Sequence, residues 1–213
     1  MGYDVREKGL RALGEDLRAG RVTSRQLAEC YLERIAALDS GPEGLHSVIE
    51  VNPDALFIAE GMDAELAHGE DRGPLHGIPF LVKDNIATGD KMRTSAGSLA
   101  LEWLYAPWDA SVVEKLRRAG AVLLGKANLS EFAYFLDFGM PNGFSSRGGQ
   151  VRCPYKEDGD PSGSSTGSAV AVTANLCAFA LGTETDGSII SPSMKASVVG
   201  VKPTVGLVSR TGV

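Results

Sequence analysis

Hydrophobic residues in the first third of the chain recur at the spacing of amphipathic helices. Residues 4–19 carry apolar side chains every three or four positions and are followed by Gly20, which predicts a first helix. Asn52, with a proline directly after it, predicts the start of a further helix that runs to about His68. We therefore expect residues 1–70 to form a helical N-terminal segment.

Between these two helices, the clearest local signal is a capping box. Thr23 stands three residues before Gln26, and Val22 and Leu27 have the spacing of a hydrophobic staple. The apolar face of the helix that starts there consists of Leu27, Cys30, Tyr31, Ile35 and Leu38. Such a face needs a partner surface, so this helix is expected to pack against the rest of the domain.

From residue 71 the pattern changes to short apolar runs. Residues 78–82 and 121–124 read as buried strands, and residues 111–119 between them have a helical pattern. Strands that alternate with helices predict an α/β fold, in which a mixed, largely parallel β-sheet is flanked by helices.

A long loop rich in Gly, Pro, Ser and Asn follows at residues 138–168. A segment of this length without periodicity is usually functional in a compact domain. After it we predict a helix at 168–176, a buried strand at 178–181 and a Gly/Ser turn at 182–188. Residues 202–213 read as sheet and turn in the middle of a fold, so we expect the domain to be incomplete at its C-terminus.

Composition excludes several classes of protein. The 213 residues are 43% hydrophobic and 23% charged, which is the mix of a globular domain that folds without disulfide or metal. The net charge of -6 gives no reason to expect a nucleic-acid partner, and no apolar run reaches the length of a membrane span. Cys30, Cys153 and Cys177 are odd in number and lack metal-ligand spacing, and residues 1–6 lack a signal-peptide pattern. These features predict a cytoplasmic protein with structural thiols.

Lys83 is the first candidate for chemistry, because it ends the apolar run 78–82. Burial disfavours an ammonium group, so a lysine at the end of a buried strand has a lowered pKa and can act as a base. Taken alone, the local sequence favours the ordinary alternative, a lysine that reaches solvent or pairs with Asp84.

Two Gly/Ser-rich segments could present backbone N–H groups to a ligand. Residues 161–168 lead into a helix and could bind an anion, while residues 182–188 leave a strand and could form an oxyanion hole. Ordinary turns explain both segments equally well.

A Ser-His-Asp triad is disfavoured. All three histidines (His46, His68 and His76) precede Lys83, and the GxSxG match around Ser165 lacks the strand that a nucleophile elbow requires. The remaining route to an activated serine is a pairing of serine with lysine.

Taken together, these segments resemble the amidase signature family. The matching segments are GIPFLVKDNI at 77–86, TSAGS at 94–98, PSGSSTGSAVAV at 161–172, LGTETDGSI at 181–189 and VGVKPTVGLVSR at 199–210. The resemblance covers about residues 20–213. It implies a single domain over residues 1–213, with the catalytic core in residues 71–213.

The resemblance also implies a reaction, the hydrolysis of a carboxylic amide through an acyl-enzyme without metal or cofactor. Lys83 matches the family's catalytic lysine, Ser164 the bridging serine that is usually in a cis peptide, and Ser188 the acylated nucleophile. The N–H groups of the turn that includes Thr185, Asp186 and Gly187 would hold the oxyanion.

This sequence departs from the family pattern at three places. The loop at 162–168 reads SGSSTGS where GGSSGGS is usual. Asp186 replaces a glycine, and it is open whether its side chain contacts substrate or caps the turn. Residues 190–196 differ from the usual stretch, which leaves the substrate undefined and disfavours the glutamine-hydrolysing subunit of a tRNA amidotransferase. A truncated noncatalytic binding or scaffold protein and the glutamine-hydrolysing subunit both remain as alternatives. The expected partner is a small-molecule amide, with no nucleic acid or membrane, and a homodimer remains open.

Overall fold

The computed structural model describes residues 2–137, 139–156 and 158–213. The predictions for Met1, for Phe138 at the start of the long loop and for Glu157 within it fall outside the described residues. The α-helices are α1 (Leu10–Arg18), α2 (Ser24–Leu38), α3 (Ala55–Ala67), α4 (Ser111–Arg118), α5 (Thr166–Thr173) and α6 (Ile190–Lys195). The strands are β1 (Val48–Val51), β2 (Pro79–Lys83), β3 (Val122–Ala127), β4 (Phe144–Ser145), β5 (Gly149–Gln150) and β6 (Phe179–Leu181). Short 3-10 turns lie at Leu99–Leu101 and Glu131–Tyr134.

The main sheet has the order β1-β3-β2-β6. Strand β2 pairs in parallel with both β3 and β6, and β1 pairs antiparallel with β3. Every residue of β2 and β3 is buried, as expected for parallel strands covered on both faces. The predicted α/β fold with a mixed, largely parallel sheet is therefore confirmed.

Two hydrophobic clusters cover the sheet. The larger one joins the N-terminal helices to the sheet and includes Leu13, Leu27, Tyr31, Ala59, Leu81 and Leu124. The smaller one packs α4 against the sheet and includes Phe80, Val82, Met92, Val113 and Leu123. Phe80 of β2 also stacks on Phe179 of β6, with 5.2 Å between the ring centroids. The end of β2 is thus fixed from both faces of the sheet.

The capping box at the start of α2 is confirmed. The Thr23 hydroxyl accepts a hydrogen bond from the Gln26 N–H at 3.1 Å, and the Gln26 side chain accepts one from the Thr23 N–H at 2.9 Å.

The predicted helix between Asn52 and His68 is also present as α3. The predicted start of the first helix is wrong, because α1 begins only at Leu10. Upstream of α1, Asp4 pairs with Arg6 two residues away, which is a local contact that a helix would not allow.

Strand β1 was not predicted, because its four residues are too few to show a periodicity and its identity depends on pairing with β3. Helix α5 begins two residues before the predicted one because the Thr166 hydroxyl bonds to the Ser162 carbonyl at 2.6 Å and closes its first turn. Strand β6 is half-buried rather than buried, since it is an edge of the described sheet.

The predicted sheet in residues 202–213 is wrong for the described chain, which forms turns there. Val201, Val205 and Leu207 are 71%, 79% and 76% exposed. The Leu207 N–H bonds only to the nearby Thr204 carbonyl, so the segment has local turns where a strand needs a neighbour. Within the described residues, no helix is long and apolar enough to cross a membrane.

Candidate active site

Lys83 lies at the end of β2 and its side chain is fully buried. Its amino group, Nζ, contacts three hydroxyl groups, which belong to Ser164 at 2.7 Å, Thr183 at 2.9 Å and Ser165 at 3.0 Å. The two serines precede α5 and the threonine follows β6, so the site forms where the Gly/Ser-rich loop meets the end of the parallel sheet. Lys83 and Ser164 are 81 positions apart in the chain, and the fold brings them into contact.

Burial lowers the pKa of Lys83 to about 7, while the carboxylate of Glu184 acts in the opposite direction. The alternative that Lys83 reaches solvent or pairs with Asp84 is wrong. The Asp84 carboxylate instead accepts hydrogen bonds from Ser95 and from the Gly97 N–H, the latter at 3.0 Å. Lys83 is therefore a lysine whose neutral form is well populated near neutral pH.

The hydroxyl groups around Lys83 are not equivalent. Ser165 donates its proton to the Thr183 carbonyl at 3.0 Å and accepts the Thr183 N–H at 3.1 Å. Thr183 Oγ1 accepts a second hydrogen bond from Asn85 Nδ2 at 3.0 Å. Among the described residues, neither the Ser164 nor the Thr183 hydroxyl has another acceptor for its proton. The Ser164 hydroxyl is the nearer of the two to Lys83 Nζ and accepts no second hydrogen bond, so it is the better placed to donate to the lone pair of a neutral Lys83.

Ser164 is held in place by its backbone. The Gly163–Ser164 peptide bond is cis, as the family resemblance implied. The Ser164 carbonyl accepts the Ser130 N–H at 3.1 Å, and a Cβ at Gly163 would collide with the side chains of Ser130 and Tyr134. Glycine is required at position 163 because these side chains pack directly on the backbone.

Ser188 lies beside this loop, since its carbonyl accepts the Ser165 N–H at 3.0 Å. The side chain of Ser188 is half-buried, and within the described ranges its hydroxyl makes no hydrogen bond. The chain reverses just before it at Gly187, whose φ of 77° is in the left-handed region that favours glycine. The structure thus brings Lys83, Ser164 and the nucleophile candidate Ser188 into one region.

The turn before Ser188 is capped by Glu184 and not by Asp186. Glu184 Oε2 accepts the N–H groups of Ile189 at 2.7 Å and Ile190 at 2.9 Å. Asp186 is exposed, as is Thr185. The interpretation of Asp186 as a turn cap is therefore wrong, and its carboxylate is free to face solvent or a ligand.

Four polar residues of the site were missed by sequence reasoning, namely Asn85, Ser165, Thr183 and Glu184. All four lie within the sequence motifs identified above, so the motifs already pointed to the segments that contain them. Which side chain of a tight turn points inward depends on backbone geometry, which the motif does not reveal. Over the described ranges, no group of three or more His, Cys, Asp or Glu side chains is placed to hold a metal ion.

The chain defines an α/β domain with a serine-lysine centre at the end of a parallel strand. The profile of the Amidase family matches residues 26–213, and the chain belongs to this family. The peptide amidase of Stenotrophomonas maltophilia, a solved structure, is 55% identical and superposes with a TM-score of 0.94 over 98% of this chain and 42% of that one.

Curated relatives agree with this assignment. A Schizosaccharomyces pombe protein with amidase in its name is 55% identical over 194 residues, which are 91% of this chain and 33% of the relative. A glutamyl-tRNA(Gln) amidotransferase subunit from Halorhodospira halophila is 44% identical over 98% of this chain and 41% of its own length. The chain thus spans less than half the length of these relatives.

Proposed function

We propose that this chain provides the catalytic centre of an amidohydrolase, in which Ser188 is the nucleophile, Ser164 the proton relay and Lys83 the base. The observation that carries the proposal is the 2.7 Å contact between Lys83 Nζ and Ser164 Oγ at a fully buried lysine. A buried amine with a pKa near 7 can remove a proton from a hydroxyl in its neutral form, whereas an ordinary surface lysine cannot.

In the proposed first step, Ser188 Oγ attacks the carbonyl carbon of an amide. As the new carbon–oxygen bond forms, the Ser188 proton passes to Ser164, and the Ser164 proton passes to Lys83. Backbone N–H groups between Thr185 and Ser188 stabilise the negative charge that develops on the carbonyl oxygen. In the described chain, the N–H groups of Thr185, Asp186 and Ser188 make no hydrogen bond, which supports this role.

In the following steps, the carbon–nitrogen bond breaks and the proton held by Lys83 returns through Ser164 to the leaving nitrogen. Water then attacks the acyl-enzyme by the same route and releases Ser188. The balanced reaction consumes one amide and one water and yields one carboxylic acid and one amine or ammonia.

The substrate side of the proposal rests on Asp186. Its exposed carboxylate on the turn that carries Ser188 suits a substrate with a primary amide or a positive charge near the scissile bond. We further propose a cytoplasmic protein without a nucleic-acid partner, and leave a homodimer open. The three free cysteines and the net charge of -6 support the first two of these statements.

A second candidate function is glutamine hydrolysis for a partner protein. It is favoured by the 44% identity to an amidotransferase subunit, and disfavoured by the divergent residues 190–196. Release of ammonia from glutamine only in the presence of a partner complex would establish this function, whereas hydrolysis of amides by the isolated protein supports the first proposal.

The test of the proposed centre is intact-mass spectrometry after exposure to a serine-reactive fluorophosphonate. We expect one adduct, lost in Ser188→Ala and formed far more slowly in Lys83→Ala. The matched control is Ser40→Ala, which removes an exposed hydroxyl at the end of α2 and should leave the adduct unchanged. Absence of an adduct on the unaltered protein would contradict the hydrolase and favour the noncatalytic binding or scaffold alternative.

A further inference from the structure

Glu184 links both sides of the turn that carries Ser188. Its Oε2 atom accepts the N–H groups of Ile189 and Ile190 at 2.7 and 2.9 Å, and the Gly187 N–H is also directed at this carboxylate. One carboxylate therefore bonds to the two residues after Ser188 and faces the N–H group of the residue before it.

Two backbone hydrogen bonds also hold this turn, because the Ser188 carbonyl accepts the Ser165 N–H at 3.0 Å and the Gly187 carbonyl accepts the Ser191 N–H at 2.8 Å. Its tip has little packing. Thr185 and Asp186 are exposed, and a Cβ placed on Gly187 would meet only Ser191, at 3.9 Å. A turn without packing keeps its shape through hydrogen bonds. Glu184 is the side chain that adds to these backbone bonds, so the position of the Ser188 hydroxyl depends in part on it.

Glu184 is also the carboxylate that acts on Lys83. Of the charged groups in the described chain, it is the one that raises the pKa of Lys83, against the stronger effect of burial. Partial burial raises the pKa of Glu184, but the N–H groups of Ile190, Ile189 and Gly187, together with Lys202, outweigh it and lower that pKa. Glu184 is thus ionised at neutral pH and acts on Lys83 of β2, while Lys202 after α6 acts on Glu184. The loop that precedes α5 presents the Ser164 and Ser165 hydroxyl groups to Lys83.

We infer that Glu184 is a positioning residue of the catalytic centre, which fixes the Ser188 turn from the position next to Thr183, whose hydroxyl contacts Lys83. The inference rests on the proposed function for Ser188, Ser164 and Lys83. A competing explanation is that Glu184 only caps α6, in which case its charge would have no effect on the pH dependence of the reaction.

The experiment compares Glu184→Gln with Glu184→Ala, using the second-order rate of fluorophosphonate labelling at Ser188 as a function of pH. Glutamine keeps an oxygen acceptor for the N–H groups and removes the charge, whereas alanine removes both. Glu33→Gln is the matched control, because Glu33 is an exposed carboxylate on α2 that loses the same charge far from the site.

We expect Glu184→Ala to label about 10²-fold more slowly, the loss typical of a reacting atom displaced by about 1 Å. Glu184→Gln should keep most of the plateau rate, and its rate should begin to rise at a lower pH than in the unaltered protein. This direction follows because the loss of a nearby negative charge makes the ammonium form of Lys83 less stable. An unshifted pH profile in Glu184→Gln, or an unchanged rate in Glu184→Ala, would overturn the inference.

Amide hydrogen exchange at Ile189 and Ile190 provides a readout that does not depend on catalysis. Protection should persist in Glu184→Gln and disappear in Glu184→Ala, and equal protection in all variants would overturn the positioning role. If the unaltered protein fails to label at Ser188 while exchange follows this pattern, the proposed function fails and the anchor at Glu184 stands.

Discussion

Lys83 and Lys126 are both fully buried lysines near the ends of neighbouring parallel strands, but their surroundings differ. Lys83 contacts three hydroxyl groups. Lys126 donates to the Ile86 carbonyl at 2.7 Å and to the Thr94 hydroxyl at 3.0 Å, close to the carboxylate of Asp84.

Burial lowers the pKa of both lysines, to about 7 for Lys83 and about 8 for Lys126. At Lys126 this effect is opposed by Asp84, Asp90 and Glu50, and at Lys83 by Glu184 alone. Under the proposed function, the two buried lysines serve different purposes. Hydroxyl neighbours leave a buried lysine free to act as a base, whereas carboxylate neighbours make it part of a structural charge network.

The largest expected effect is on the labelling rate of Ser188 when Lys83 is replaced. Lys83→Met should slow fluorophosphonate labelling of Ser188 by about 10²- to 10⁴-fold, the usual contribution of a general base. The folded state should keep its stability, since methionine fills the volume without a charge to desolvate. Labelling rates and thermal unfolding measured on the same samples check both parts, and a Lys83→Met protein that labels at the normal rate would remove the distinction between the two lysines.

The next effect concerns stability at Lys126. Lys126→Met should lower the free energy of unfolding by about 1–3 kcal/mol, because it leaves the Ile86 carbonyl without its donor and removes one of the two cations that act on the buried Asp84 carboxylate, the other being Arg147 at 3.5 Å. Asp84 Oδ1 already has no hydrogen-bond partner among the described residues. Urea unfolding measures the loss, and the double variant Lys126→Met with Asp84→Asn should recover part of it. A single-variant loss below about 1 kcal/mol would show that Lys126 does not stabilise the network.

The stability of the folded chain should also depend on pH. The folded pKa of Lys83 is about 7, against an ordinary value of 10.5, so between these values the unfolded chain binds a proton that the folded chain does not. Stability is therefore fully present above the unfolded pKa and is lost as pH falls towards 7, by up to about 1.4 kcal/mol per pH unit. Urea unfolding from pH 7 to 10 should show a steeper rise for the unaltered protein than for Lys83→Met, and equal slopes would contradict a depressed pKa.

Much of this arrangement could be predicted from sequence. The capping box at Thr23 is a local pattern with a local cause, and it was confirmed. Lys83 ends an apolar run, which made a buried lysine with a lowered pKa a candidate, but the short stretch alone favoured a lysine that reaches solvent or pairs with Asp84. The resemblance of several segments to one family singled it out. The fold class followed from alternating strands and helices, which is a property of the chain order.

The remaining features depend on contacts between distant segments. Strand β1 exists because it pairs with β3, and the roles of Thr183 and Glu184 follow from the way in which one turn folds back. The sequence did not single out Lys126, because the apolar run 121–124 is followed by Gly125 and the lysine stands beyond it. Sequence reasoning therefore located the motifs, and the structure showed which of their side chains meet.

The most direct test of the account is an NMR titration of the lysine side chains, with Lys83→Met and Lys126→Met used to assign the two buried groups. We predict that the Lys83 amine titrates with a midpoint near pH 7 and that the Lys126 amine titrates at a higher pH, near 8. A Lys83 amine that remains protonated up to pH 10 would contradict the account, because no neutral base would then be present to activate Ser188.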